Sequence, residues 1–320
     1  MAAVSVTIET IGLTWASWHR LVTEIEQLGF AGIFRSDHLT APVPLDSSTL
    51  DMVVALTDLA HQTQRVHFGP LVAPLSFRNP VLLAHQAAAL DGLSQGRMIL
   101  GLGAGWNERE HDMFGFTLGD IPTRMARLEE ALDIITQLFQ SQEPVTYTGR
   151  FYRLHDARLF ISLYQPHGPP ILIGGSGPKR TLPLVARYAT IWNGSGLTPE
   201  AYVERSAVLD VLLREAGRQP AEVKRTVLLL TVCGRDSTDF EQRVSWLRQY
   251  PPVAHASLDD LLTFLRTQFQ AFIGTPDELV RHIRAYIAGG AEEVMLQWYG
   301  LDDIAGLQLI AEEVLPHLTR

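Results

Sequence analysis

Gly96-Arg97-Met98-Ile99-Leu100-Gly101-Leu102-Gly103-Ala104-Gly105-Trp106-Asn107-Glu108 is the stretch whose reading decides the fold. A short apolar run breaks into Gly-x-Gly-x-Gly, then Trp and two polar residues. An apolar run bounded by turn residues predicts a strand buried on both faces. Glycines directly after such a strand let the backbone turn sharply or approach a ligand closely. A dinucleotide fingerprint would be Gly-x-Gly-x-x-Gly running straight into a helix, with an acid about twenty residues on. Here the third glycine comes one place early and no strand-ending acid follows at that distance. An NAD-dependent dehydrogenase on an open Rossmann sheet is therefore the weaker reading, and the other strands decide.

Outward from this stretch, further strands are expected at Val4 to Glu9, Gly32 to Phe34, Val66 to Val72, Pro170 to Ile173, Thr190 to Trp192, Val227 to Cys233 and Glu293 to Trp298. Helices alternate with them. Thr14 caps an apolar stripe of Trp15, Trp18, Leu21, Val22, Ile25 and Leu28, which Gly29 stops. Pro42 and Pro44 mark a loop, and Leu50 to Gln62 a helix. Asn79 and Pro80 are a cap and a first helical residue. Thr123 to Gln140, Lys179 to Arg187, Pro199 to Ala216 and Asp302 to His317 read as helices. Thr275-Pro276-Asp277-Glu278 gives cap, first-turn proline and first-turn acids in order. Eight strands each followed by helix in 320 residues predict an α/β fold, a (β/α)8 TIM barrel in one domain over 1–320. Insertions are expected at its C-terminal face, about 107–122, 142–168 and 236–273.

Composition narrows the class. At 46% hydrophobic and 19% charged, the chain can bury a large core. Lys and Arg number 26 against 35 Asp and Glu, a net charge of −9. That argues against a nucleic-acid partner or an anionic membrane surface. The single cysteine, Cys233, excludes an internal disulfide and sits in an apolar run as a buried structural thiol. No apolar run reaches the roughly 20 residues of a membrane span. The N-terminus has no basic segment leading an apolar core. A cytoplasmic protein is expected.

Barrels of this kind gather function at the C-terminal ends of their strands. The candidates there are Glu9, Asp37 with His38, Pro74 to Asn79, Trp106 to Glu108, Gly174 to Gly177, Asn193 and Gln297. Gly174-Gly175-Ser176-Gly177 joins a strand end to a helix start, where free N–H groups attract an anion; Ser176 would add a hydroxyl. Lys179 and Arg180, read as first-turn cations, would be relieved by that anion. The alternative is a plain tight turn. Asp37 and His38 point to opposite faces, one into the mouth and one to the wall. His38 is the natural proton donor near neutral pH, or a satisfied structural histidine. Glu108, Glu110, His111 and Asp112 form a polar cluster read as a solvated lid and not as a metal site. Phe77, Trp106, Phe114, Trp192 and Trp298 suggest a pocket wall for an apolar or aromatic ligand.

These residues resemble the luciferase-like monooxygenase superfamily of TIM-barrel flavin and deazaflavin oxidoreductases. The resemblance rests on Phe34-Arg35-Ser36-Asp37-His38, on Pro74 to Pro80, on Leu93 to Asn107 and on Ile171 to Gly177. Gly274-Thr275-Pro276 with its helix also fits. Within the superfamily the chain is most similar to the coenzyme F-420-dependent oxidoreductases. The resemblance implies a cofactor of the F-420 type, or FMN, in the barrel mouth. It implies Asp37 and His38 beside the ring, and a non-proline cis peptide near Pro70-Leu71-Val72 supporting it. Gly103, Ala104, Gly105 and Trp106, with Gly174 to Gly177, would hold the cofactor phosphate. Some relatives place a catalytic Glu where Trp106 stands, so Glu108, two residues on, is the substitute acid. A small organic substrate and a homodimer are implied too. The leading function is hydride transfer between a reduced deazaflavin and an organic substrate; the alternatives are an FMN-dependent monooxygenase and a non-catalytic flavin-binding barrel.

Overall fold

The alternation of apolar runs and amphipathic helices resolves, in a computed structural model that describes residues 3–41 and 47–318, into a ring of parallel strands. The barrel strands are β1 (Ala3–Ile8), β2 (Gly32–Arg35), β3 (His67–Pro70), β4 (Leu100–Gly103), β5 (Ile171–Gly174), β6 (Ile191–Ser195), β7 (Lys224–Cys233) and β8 (Glu293–Trp298). Their order around the sheet is β3-β2-β1-β8-β7-β6-β5-β4. The ring closes between β3 and β4, where Phe68 bridges Met98 and Ile99 N donates to Phe68 O at 2.8 Å. A short strand, Ala73–Pro74, also pairs with β4. The expected barrel is therefore present. Pro42 and Pro44 lie outside the described residues.

Closure explains part of the glycine pattern. A Cβ on Gly69 would lie 1.9 Å from Ile99 O, and one on Gly101 2.0 Å from Pro70 O. No side chain fits where the two backbones approach this closely. Gly101 is thus a requirement of the barrel seam.

The helices that cover the barrel are α1 (Trp15–Gln27), α2 (Met52–Gln62), α3 (Pro80–Ser94), α4 (Ile121–Gln140), α5 (Thr181–Tyr188), α6 (Pro199–Glu215), α7 (Pro276–Ala288) and α8 (Ile304–Glu313). Their starts follow the sequence signals. Thr14 accepts from Ser17 N, Asn79 from Val81 N and Leu82 N, and Thr275 forms a capping box with Glu278. α4 begins two residues before the expected Thr123, because Asp120 caps it. α5 begins at Thr181, two residues after Lys179, so Lys179 and Arg180 precede the helix and are not first-turn cations.

Period-two alternation sorts each strand into two faces. Val4, Val6 and Ile8 of β1 pack outward against helices in the main core. Phe34, Leu71, Ile99, Leu172, Ile191 and Met295 form a separate apolar cluster inside the ring. Beneath it, Glu293 at the start of β8 is held by Ser5, by His67 Nε2 at 2.8 Å and by Lys224 Nζ at 2.7 Å. Above it, Glu9 and Gln297 open the mouth. Cys233 is buried, and burial pushes its thiol up to about 12.

Three segments interrupt the alternation. Residues expected as one polar loop, 107–122, contain a helix, Glu108–Phe114, capped by Asn107 and stopped by Gly115 at φ +73°. An antiparallel hairpin, Val145–Thr148 with Arg153–Ala157, follows α4. Two helices, Ser237–Val244 and Leu258–Phe269, follow β7 and build a small apolar core of their own around Leu247, Leu261 and Leu265.

Candidate active site

Asp37 and His38, two and three residues past the end of β2, find different partners. Asp37 is buried and clasped by Arg78, whose Nε donates to Oδ2 at 2.9 Å and Nη2 to Oδ1 at 2.7 Å. This two-point pair braces the loop after β3 against β2. Burial works against the charge on Arg78, but hydrogen bonding and attraction to Asp37 outweigh it and raise its pKa. Arg35, the last residue of β2, is fully buried and donates to the carbonyls of Ser36, Leu50 and Asp51. Desolvation brings it down to about 10.

His38 has its Nδ1 3.2 Å from Glu110 Oε2. Glu110 is only 1% exposed, and its second oxygen accepts the backbone N–H of Leu39. Burial pulls the imidazole pKa down, but the hydrogen bond and charge of Glu110, with the charges of Glu9 and Asp37, raise it above its ordinary value. Trp106 stands edge-on to His38 at 5.5 Å, 82° between planes, and is 59% exposed. The solvated-lid reading of the polar cluster is thus corrected for Glu110 and His111, while Glu108 and Asp112 are exposed. Glu110 and His111 are buried, because Asn107 caps a helix that turns them inward. Glu108, on the same helix, is exposed, and the acid that reaches His38 is Glu110. The signal available in sequence was the cap-to-stop spacing Asn107 to Gly115.

The Leu71–Val72 peptide is cis, at the expected end of β3. Val72 sits in a recess that glycines leave open. A Cβ on Gly103 would lie 2.5 Å from Val72 Cγ2, and one on Gly174 2.9 Å from Cγ1. Gly103 and Gly174, expected against a phosphate, are therefore explained by the valine seat. Ser176 is also engaged: its Oγ donates to Ser195 O at 2.7 Å and accepts Ser195 N at 3.0 Å. It clamps β5 to β6 and has no hydroxyl proton left for an anion.

Other features of these loops fit an anionic cofactor tail. Each of the other ten described α-helices has a side-chain cap, and α5 has none. Its first two N–H groups, of Thr181 and Leu182, instead donate to Gly177 O at 3.0 and 3.1 Å, and exposed Lys179 and Arg180 precede it. Those N–H groups are taken and Pro183 has none, so what this turn offers a phosphate is the charge of the two cations. Ser76 Oγ is buried with no partner among the described residues, against Gly105 at φ +81°. Ala104 and Gly105 lie at the rim of this loop, half-buried.

A chain of neutral and acidic groups spans the mouth. Ser36 Oγ donates to Glu9 Oε2 at 2.7 Å, and Gln297 Nε2 donates to Glu9 Oε1 at 2.6 Å and to the Tyr299 hydroxyl at 3.3 Å. The expected aromatic wall is different. Trp192 is fully buried and stacks on Tyr202 at 5.1 Å, and Trp298 is buried with its N–H on Gly300 O. Both face outward from the strands. No three His, Cys, Asp or Glu side chains converge as metal ligands among the described residues.

A parallel barrel with Asp37–Arg78 and His38–Glu110 at its mouth, and glycine-rich turns at the ends of β4 and β5, defines a TIM-barrel enzyme architecture. The chain belongs to the luciferase-like monooxygenase family, whose model matches residues 2–293. An F-420-dependent glucose-6-phosphate dehydrogenase of Microbacterium testaceum is 31% identical over 310 residues, covering 92% of this chain and 91% of that protein. A 4-hydroxyprotoasukamycin monooxygenase of Streptomyces nodosus subsp. asukaensis is 28% identical, covering 79% of this chain and 64% of that protein. The fold matches an F-420-dependent secondary alcohol dehydrogenase with a TM-score of 0.84 at 18% identity, over 100% of this chain and 99% of that one. No described helix is long and apolar enough to cross a membrane.

Proposed function

We propose that this chain is an oxidoreductase that moves a hydride between reduced coenzyme F-420 and a small organic substrate. The observation that carries the reading is His38, held by buried Glu110 at the mouth of a barrel whose relative in Microbacterium testaceum bears that cofactor in its name. When bound, the deazaflavin supplies a two-electron hydride carrier. The chain's residues do the rest. His38, its Nδ1 fixed by Glu110, keeps Nε2 for exchanging a proton with the substrate. Leu71, Val72 and Trp106 border the ring position, and Asp37 holds Arg78 and the loop beside it. Gly103, Ala104 and Gly105 with Gly174, Gly175, Ser176 and Gly177 shape the turns that border the tail. Lys179 and Arg180, just before α5, offer it positive charge. Glu108, exposed beside this site, stays a secondary acid candidate.

A monooxygenase using FMN is the second reading, favoured by the Streptomyces relative. Titrating the protein with F-420 and with FMN and following cofactor fluorescence separates the two. Binding of neither overturns both. We also infer a cytoplasmic homodimer from the family resemblance; sedimentation velocity and cell fractionation test it.

A further inference from the structure

A cavity of about 780 Å³ opens at the mouth side of the barrel, between the loops after β1 and β8 and the two-helix segment that follows β7. Its volume is in the range that takes drug-sized ligands. Trp246, Tyr250, Phe264, Phe269 and Tyr299 line it. Trp246 and Tyr299 stack in parallel at 4.3 Å and 12°. Tyr299 also joins the cavity to the candidate active site, through Gln297 and Glu9 to Ser36, two residues before His38.

The charge of this wall is as informative as its rings. No Lys, Arg or His lines it among the described residues. Residues 42–46, Pro-Val-Pro-Leu-Asp, bring no cation by sequence. Three arginines beside the wall are already taken, and Arg266, on the same helix as Phe264 and Gln268, does not line it. Arg243 binds Asp303 and Cys233 O, Arg248 binds Glu241 and the carbonyls of Ala254 and Ala256, and Arg20 binds Asp302 and Leu301 O. The chain has two lysines, Lys224 on the barrel floor against Glu293 and Lys179 before α5. The remaining polar lining is neutral amide and hydroxyl, with carboxylates at Asp302 and Asp303. A phosphate dianion here would lose water and gain no counter-charge. A flat uncharged ring would gain aromatic contact on several sides.

We propose that this cavity is the substrate site and that it takes an uncharged, ring-bearing molecule while rejecting phosphorylated sugars, unlike the relative named for glucose 6-phosphate. The proposal rests on the hydride-transfer reading for its role but not for its binding chemistry. The test is calorimetric titration of the purified protein, with and without F-420, by 2-naphthol as the neutral ring and by glucose 6-phosphate as the anion. The neutral ring should bind, and glucose 6-phosphate should bind at least about a hundredfold more weakly. Gln268→Trp, at an exposed helix position on the rim, should cut 2-naphthol affinity by about tenfold or more and leave F-420 affinity intact. Gln249→Arg should strengthen glucose 6-phosphate binding. Equal or tighter binding of glucose 6-phosphate by the unaltered protein overturns the proposal, as does naphthol affinity unmoved by both Gln268→Trp and Trp246→Ala. A protein that binds 2-naphthol in the cavity but neither cofactor supports the binding chemistry and overturns the hydride-transfer reading instead.

Discussion

Nδ1 of His38 lies 3.2 Å from the buried carboxylate of Glu110, a residue seventy-two positions away on the helix Glu108–Phe114. The pairing raises the His38 pKa against the opposing effect of burial. The sign follows directly. A raised pKa keeps the imidazolium present to higher pH than in the unfolded chain, and that stabilisation is lost as pH rises through the folded value. Glu110→Gln removes the charge and leaves the burial. The basic limb of the pH profile should then move to lower pH, and turnover should fall by about tenfold to a hundredfold, within or below what a positioned general acid supplies. A kcat/KM profile with F-420 reads both. An unmoved limb would remove Glu110 from any role at His38.

Gly101 and Gly103 stand two apart on β4, yet they should fail differently. At Gly101 an added methyl meets the backbone oxygen of Pro70, which cannot yield without opening the β3–β4 seam. At Gly103 it meets Val72 Cγ2, a side-chain atom that can move into the mouth. Gly101→Ala should lower stability by about 3 kcal/mol or more, in the manner of overpacking. Gly103→Ala should stay folded and weaken cofactor binding by about tenfold. Urea unfolding and cofactor titration distinguish the two. Equal stability loss would contradict the valine seat.

Half-buried Arg78 forms a two-point ion pair with buried Asp37, so the partner left behind decides the effect of mutation. Arg78→Ala leaves Asp37 buried and uncompensated, which should destabilise by about 3–5 kcal/mol. Arg78→Lys keeps the charge but not the fork, and should recover part of the stability. Thermal unfolding measures this; an Ala variant as stable as the parent would show that the pair braces nothing.

The barrel was legible because each strand is a short apolar run and each helix carries its own start signal, from Thr14 to Thr275. The glycines were located but their causes were not. Gly69 and Gly101 answer to backbone contact, and Gly103 and Gly174 to one valine, relationships that exist only once β3, β4 and β5 are side by side. Ser176 was legible as a hydroxyl but not as one already bonded to Ser195. Glu110 was hidden among four polar neighbours because burial on a helix of seven residues depends on which turn faces the barrel. Trp192 and Trp298 were legible as aromatics near strand ends but not as residues buried on the outward face, and the stack of Trp246 on Tyr299 joins the segment after β7 to the end of β8, which no strand period announces.

The barrel floor supplies the last prediction. Burial by itself would raise the Glu293 pKa, but hydrogen bonds and attraction from His67 and Lys224 lower it to about 2. A carboxylate depressed on folding contributes stability above its unfolded pKa near 4.5, and that contribution is lost as pH falls toward about 2. The difference corresponds to about 3 kcal/mol. Glu293→Gln should therefore unfold at lower urea near neutral pH, and the gap from the parent should narrow between about pH 4.5 and 2. Because Glu293, His67 and Lys224 lie at the opposite end of the barrel from His38, the variant should keep the pH profile of turnover unchanged. A gap that widens as pH falls would overturn this account of the floor.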